Sequence, residues 1–357
     1  MATPIDPQRP TIRAIAWGIQ APNPHNTQAW KFRPVSDTGV LLYVDQRRLL
    51  PVTDPPARQI HIGAGCCIET LAVGMSTEGY ETDVELLPDG PHGLEEIGRK
   101  PVARIELRPG AATSPDELAD AIGRRQTNRK PYTGPLLTDS EANQIRSRVA
   151  PGTIEVLTFN EPDAMRPLLD VFYRALEIEV TTRRLYEETR IWFRFNERQR
   201  RHTHRDGLSI PQAGVDGLKR RLIEWTLRDG DPKRWFGRRT ISSTLKTLRQ
   251  GIDSARGLVL LKTATNQQVD WLDTGRAYAR VHLGLTQLGL TCHPYNQVLQ
   301  EYPEMTALQR EFDDLVGVQE PQKIQKAVRV GRAAKRAYVA PRRDPGDFIV
   351  DGPAAAA

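Results

Sequence analysis

Cysteine is nearly missing from this chain: three occur in 357 residues, and two of them, Cys66 and Cys67, are neighbours. That scarcity excludes a disulfide framework, and no Cys/His spacing suits a zinc site. No apolar run approaches the ~20 residues that a membrane-crossing helix needs. Met1 to Pro10 places prolines and an acid where a secretory leader needs an apolar core. No Gly-x-Gly-x-x-Gly follows a strand-like segment, so a separate dinucleotide-binding domain is not expected. Together these absences predict a cytoplasmic protein with no bound metal and no membrane partner. Aromatic residues are scarce too, at 6%, and none interrupts the densest basic run, Arg198-Gln199-Arg200-Arg201-His202-Thr203-His204-Arg205. A base-stacking platform needs such interleaving, so no nucleic-acid partner is expected. The net charge of +6 then points to a smaller anion, because a positive field concentrates anions of any kind.

What remains is the composition of a globular protein. Hydrophobic residues make up 39% and charged residues 26%, enough apolar surface to form a core. A chain of this length exceeds the usual single-core size, which predicts two packed halves or one fused domain. Ile12, Ile15, Ala16 and Ile19 recur at helical spacing until Ala21-Pro22-Asn23-Pro24, where proline cannot continue the ladder. Trp30–Val35 and Val40–Asp45 read as a hairpin. A buried helix is expected over Gln59–Gly79, followed by strands near Val84–Leu87 and Ala103–Leu107. The Pro/Gly/Ser stretch from Pro109 to Pro115 marks a boundary between halves at residues 1–112 and 113–357.

In the second half, helices are expected at Asp116–Ile122, Thr138–Val149, Ala164–Ile191 and Asp270–Leu288, with strands at Thr153–Phe159 and Gly257–Thr263. Residues 196–250 are basic, weakly periodic and expected to be irregular, as in a lid-like insertion, a binding segment or a disordered loop. Trp225, Trp235 and Phe236 are candidates for its apolar face or for anchors onto the body. The helix of small and apolar residues at Gln59–Gly79 is echoed at Asp270–Leu288, which raises internal duplication. His25, His61 and His282 read as packed or capping side chains, and Cys66 and Cys67 as inert core thiols.

Two short motifs carry chemistry. Ala21-Pro22-Asn23-Pro24-His25-Asn26-Thr27-Gln28-Ala29-Trp30 resembles the Ala-Pro-Ser-x-x-Asn-x-Gln-Pro-Trp loop of the nitroreductase family, and Arg125-Gln126-Thr127-Asn128-Arg129 resembles its Arg-x-Ser-x-Arg segment. Their order is reversed relative to an ordinary member, in which one subunit of a homodimer supplies the arginine segment and its partner the loop. The chain is therefore similar to the Acg-type branch of the family, whose members carry both halves in one polypeptide. That resemblance implies an α+β, nitroreductase-like fold in which two tandem halves form an intramolecular pseudo-dimer, monomeric overall, with mixed β-sheets flanked by helices.

The resemblance implies flavin mononucleotide (FMN) as the cofactor. Its phosphate, ribityl chain and planar ring need guanidinium forks, hydroxyl or amide donors and an apolar slot. Arg125, Thr127 and Arg129 would share one side of an extended segment and face the phosphate. Arg342 and Arg343, after Val328-Arg329-Val330-Gly331, stand where the family has a C-terminal phosphate contact. Asn26 would meet the ring or ribityl chain through its amide. Pro22, Asn23, Pro24 and His25 complete the loop, and Gln28 with Trp30 would hold it on the hairpin. The implied activity is an NAD(P)H oxidoreductase that delivers hydride or electrons through flavin N5 to a nitroaromatic, quinone or enone, with no catalytic side chain. The alternative is an FMN-sequestering or storage protein in which residues 196–250 cover the flavin.

Overall fold

Pro10 opens the first helix, α1 (Pro10–Gly18), in the computed structural model, which describes residues 8–110, 114–150, 152–227 and 230–352. Proline suits a first helical turn because the N–H it lacks would have no partner there. After the Pro/Asn loop, β1 (Trp30–Pro34) and β2 (Gly39–Val44) pair antiparallel, from Trp30 opposite Val44 to Pro34 opposite Val40. Helix α2 (Arg58–Ser76) follows, and β3 (Tyr80–Leu86) and β4 (Ala103–Pro109) complete a four-stranded sheet of order β1-β2-β4-β3.

The second half begins with α3 (Asp139–Arg146), whose Thr138 and Glu141 form a reciprocal capping box. Then come β5 (Ile154–Phe159), α4 (Pro162–Thr181) and α5 (Arg183–Ile191). The insertion holds α6 (Glu197–Gln199), α7 (Gly217–Leu227), α8 (Pro232–Trp235) and α9 (Arg238–Asp253). The half closes with β6 (Gly257–Thr263), α10 (Gln268–Gln287), β7 (Thr291–Pro294), α11 (Thr306–Val316) and β8 (Lys323–Gly331). Its sheet runs β5-β6-β8-β7, the first sheet's order strand for strand. In each half a long helix, α2 or α10, lies between the second and third strands in sequence.

These two helices face each other across the molecule, and glycine sets their separation. A Cβ on Gly65 of α2 would lie 2.0 Å from the Leu272 carbonyl oxygen, and one on Gly275 of α10 would lie 2.1 Å from the Ile62 carbonyl oxygen. The backbones therefore touch at a point that only glycine permits on either side. Beyond the crossing, Glu69 receives Arg276 and Arg280, each at 2.9 Å. One apolar core runs through both halves, joining Ile15, Phe32, Ile68 and Leu71 to Val259, Leu261, Tyr278 and Val330.

The C-terminal arm crosses between halves. After β8 the chain returns to the first sheet, where Ile349 forms a parallel bridge to Phe32, Val350 N–H donates to the Phe32 carbonyl at 2.9 Å, and Phe348 is fully buried. Thr127 forms a parallel bridge to Cys292 at the edge of the second sheet. The expected mixed character of the sheets is thus confined to these single edge bridges; every ladder between the numbered strands is antiparallel.

Other differences have local causes. The helix expected over Ala164–Ile191 breaks at Thr182, whose ψ of 107° is extended. The segment 116–122 holds only a short turn at Ala119–Ala121. Strand β7 has no apolar run to announce it. Residues 196–250, expected to be irregular, are largely helical because Phe193, Ile210, Leu227 and Trp235 build a separate apolar cluster with Val180 and Tyr186. The half boundary at residues 112 and 113 lies outside the described residues. Among the described residues no helix is long and apolar enough to cross a membrane.

Candidate functional site

The loop between α1 and β1 owes its shape to Asn23. Its side-chain oxygen accepts from the Gln28 N–H at 2.8 Å, and its amide donates to the Ala21 carbonyl at 3.2 Å. Inside that bridge His25, Asn26 and Gln28 take left-handed φ values of 46°, 54° and 52°. Non-glycine residues pay for that conformation, so something outside the loop must hold it. The C-terminal arm does. Arg342 donates to Asn26 Oδ1 at 2.7 Å, to the Ile19 carbonyl at 2.7 Å and to the Ala21 carbonyl at 3.0 Å. Asn26 donates back to the Pro341 carbonyl, and the side chain and backbone N–H of Arg343 reach the carbonyl and side-chain oxygens of Gln28. Gln28 also donates to the Arg205 carbonyl at 2.8 Å, which ties the loop to the insertion.

Arg342→Ala removes donors to three loop oxygens at once. Charge-assisted bonds are each worth about 1.5–3 kcal/mol. The variant should therefore melt at lower temperature and show earlier proteolysis near residues 22–28; limited proteolysis followed by mass spectrometry checks this.

Beside the loop lies a cavity of about 710 Å³ whose wall is drawn from both halves and the insertion. Pro22, Asn23, Pro24 and His25 line one side; Thr127 and Arg129 come from the second half. The structure thus brings six of the sequence-nominated residues to one space. Asn26, Gln28, Arg125, Arg342 and Arg343 stand behind it: both ends of the Asn26 and Gln28 amides are committed to clasping the loop. Arg125 departs from the expected alternation because its N–H still closes a helical turn onto the Ala121 carbonyl, and its guanidinium reaches the Gln20 carbonyl at 2.9 Å.

The guanidiniums in and behind the wall are short of acidic partners, although the carboxyl groups of Asp54 and Glu179 also line the cavity. No carboxylate among the described residues pairs with Arg125, Arg129 or Arg342, and the buried Arg200 has only Glu197. Burial lowers the pKa of Arg129 and Arg342, and Arg200 acts on both in the same direction, with Arg125 adding to the effect on Arg342. A guanidinium does not lose its proton in a protein, so the depression measures the cost of burying cations together, a cost that a bound anion relieves. Lys326, 7% exposed on β8, has its Nζ 4.7 Å from the Tyr278 ring centroid, and burial brings its pKa down to about 8. Buried Nδ1 atoms of His25 and His293, both in the wall, lack hydrogen-bond partners.

Sequence reasoning missed Lys326, His293, Tyr278 and Glu179. Lys326 gave no signal in the sequence, because its burial comes from the packing of β8, which is buried from Ile324 to Gly331. Glu179 sits in the wall with Oε2 unpartnered, and burial raises its pKa. Of the expected lid aromatics, Trp235 is buried, stacks on Tyr186 at 4.6 Å and lines the cavity, so it serves as anchor and wall together. Trp225 faces outward, 64% exposed. Cys66 lines the cavity, but burial holds its thiol at about 12, as expected of an inert group.

His61 makes the molecule acid-sensitive. Its Nδ1 meets the Ala57 carbonyl at 2.7 Å and its Nε2 meets the Gln268 amide at 3.1 Å, a bond between α2 and α10. An amide N–H can donate only to an unprotonated Nε2, so the ring is neutral. Burial lowers its pKa to about 4, below the unfolded value, so the unfolded chain binds the extra proton first. Stability is full above about pH 6.5 and falls as pH drops toward 4, by roughly 2 kcal/mol at pH 5 from this group. Thermal melts between pH 7 and 5 should show a falling midpoint, and a flat profile would contradict the neutral, paired ring.

The chain is 27% identical over 325 residues to the "Putative NAD(P)H nitroreductase acg" of Mycobacterium tuberculosis (strain ATCC 25618 / H37Rv), spanning 90% of this chain and 88% of that protein. The resemblance is to the nitroreductase family, Acg-type branch. A second relative, the "Putative NAD(P)H nitroreductase Rv3131" of the same organism, is 25% identical over 297 residues, or 82% of this chain and 78% of that one. No protein-family model matches the sequence. Among solved structures, the FMN and NADPH-dependent nitroreductase NfnB from sphigopyxis sp. strain HMH overlaps 66% of this chain and 98% of its own, at 15% identity and a TM-score of 0.40. At that score the architecture of this Acg-like chain rests on its own sheets and helices.

Proposed function

We propose that this chain binds FMN between its two halves and works as an NAD(P)H oxidoreductase of nitroreductase type. In this reading residues 1–112 and 113–357 are tandem copies forming an intramolecular pseudo-dimer, with residues 196–250 as a lid-like insertion. The repeated strand order and the α2–α10 crossing support it. The observation that carries the cofactor is the cluster of Arg125, Arg129, Arg200 and Arg342, four guanidiniums with one carboxylate, set behind a cavity to which both motifs contribute. A phosphate dianion is the counter-charge that such a cluster lacks.

The remaining wall fits the rest of FMN. Thr127 and Asn23 offer polar atoms for a ribityl chain. Leu50, Ile62, Tyr278 and the Pro22/Pro24 pair offer a largely apolar slot for a ring. When bound, FMN supplies hydride or electron transfer from a reduced nicotinamide to a small acceptor such as a nitroaromatic, quinone or enone. Lys326 would place positive charge beside the ring, which favours negative charge developing there. The unpartnered Nδ1 atoms of His25 and His293 are available to cofactor or acceptor oxygens.

A second reading, FMN sequestration, draws on one observation: the insertion supplies wall as well as cover, through Leu222, Ile223, Leu227, Trp235 and Arg239. Purified protein loaded with FMN separates the two. Steady NADH or NADPH oxidation in the presence of a nitroaromatic or quinone supports the oxidoreductase. A bound flavin that absorbs in the visible yet stays oxidised under excess nicotinamide supports sequestration, and failure to take up FMN at all ends both.

A further inference from the structure

Helix α7 of the insertion carries the three most exposed large apolar side chains among the described residues: Leu218 at 83%, Trp225 at 64% and Leu222 at 62%. Their spacing of four and three residues puts them on one stripe of the helix. A single exposed leucine is ordinary, whereas three together mark a surface that meets something. The adjoining flank of α7 is occupied: Lys219, Leu222, Ile223 and Thr226 line the main cavity, so Leu222 stands at the cavity's rim while Leu218 and Trp225 lie clear of it.

The surroundings of the stripe are basic. Beside it, Lys219 of α7 and Arg238, Arg239, Ser242, Ser243 and Lys246 of α9 surround a second cleft of about 640 Å³, with no carboxylate in its wall. These cations form no ion pairs among the described residues, unlike Arg220, which is satisfied by Glu224 at 2.8 Å. Arg221 adds a further exposed cation on the far side of the stripe.

We propose that this face of the insertion docks on an anionic lipid bilayer. Leu218 and Trp225 enter the headgroup boundary, with Leu222 at the cavity's rim between them, and Arg221, Arg238 and Lys246 contact acidic headgroups. An interfacial helix needs this combination of an apolar stripe, a tryptophan and flanking cations, and it needs no membrane-crossing length. A phosphate backbone of nucleic acid would use the cations but leave the leucines and tryptophan in water. The expectation of no membrane partner came from the missing span; among the described residues no helix is long and apolar enough to cross, which leaves surface attachment open.

Flotation of the full chain, pre-incubated with FMN, on phosphatidylcholine vesicles with and without phosphatidylglycerol tests this. At least about tenfold more protein should float with the anionic vesicles, given three cations near the surface. Leu218→Ser with Trp225→Ser, and separately Arg238→Glu with Lys246→Glu, should each remove most of that binding; none of these four lines the main cavity. Melting temperature and FMN content, measured on the same samples, should stay unchanged and report independently on the fold and on the flavin reading. The proposal is overturned by absence of flotation, by equal binding to both lipids, or by binding that survives both double exchanges. It is also overturned if size-exclusion chromatography shows a dimer that the Leu218→Ser, Trp225→Ser pair dissolves, because a second copy of the chain would then be what covers the face.

Discussion

Arg129→Ala is expected to weaken FMN binding by about a hundredfold, and by more when Arg125 is removed as well. Each charge-assisted hydrogen bond to an anion is worth about 1.5–3 kcal/mol, and every 1.4 kcal/mol is roughly tenfold in affinity. Arg129 lines the cavity and has no carboxylate to fall back on, so its loss removes attraction from the site without freeing a competing acid. The fold should not suffer to the same degree. Removing a half-buried cation held near Arg200, with a single 3.4 Å bond to the Gln212 carbonyl, relieves repulsion in the empty protein. The signature is thus a split: flavin affinity, read by quenching of FMN fluorescence on titration, falls steeply while the melting temperature without FMN holds or rises. Unchanged affinity would place the phosphate elsewhere.

Gly65→Val is expected to be the most damaging single change to the fold itself. The added side chain would begin 2.0 Å from the Leu272 carbonyl oxygen, and backbone cannot turn aside as a flexible side chain can. The helices α2 and α10 must separate, at a cost of at least about 3 kcal/mol, the upper end of ordinary overpacking. Separation also opens the Arg276 and Arg280 pairs to Glu69 and the His61–Gln268 bond. Gly275→Val should act alike, since its side chain would meet the Ile62 carbonyl oxygen. A melting midpoint lower by at least about 4 °C follows for a chain of this size. Gly123→Ala, with open space around the added atom, is the matched control. Because Ile62, Gly63 and Cys66 of α2 line the cavity, FMN uptake should fall together with the midpoint.

The two predictions differ in how far the sequence foretold them. Arg129 was legible because a motif of five residues carries its chemistry locally. The touching glycines were not: Gly63, Ala64 and Gly65 suggested close approach near the start of α2, but no pattern says which helix approaches. The same division runs through the site. Pro22 to His25, Thr127 and Arg129 were nominated from sequence and meet at one cavity, whereas Lys326, His293 and Tyr278 reach that wall only because β7, β8 and α10 pack around it. Arg342 was nominated as a phosphate contact, and its clasp on the loop went unforeseen, since its partners, the Ile19 and Ala21 carbonyls and the Asn26 side chain, lie more than 300 residues earlier in the chain.

By itself, then, the sequence determined the local elements and the chemistry of two motifs, because helical period, proline breaks, strand runs and guanidinium spacing are properties of neighbouring residues. Tertiary structure alone decided that residues 196–250 fold into helices that wall the cavity and leave Leu218, Leu222 and Trp225 in solvent. It also decided that the C-terminal arm returns to brace a loop in left-handed conformations. Those outcomes depend on which surfaces become buried together, and burial is set by the packing of distant segments, to which a one-dimensional pattern is blind.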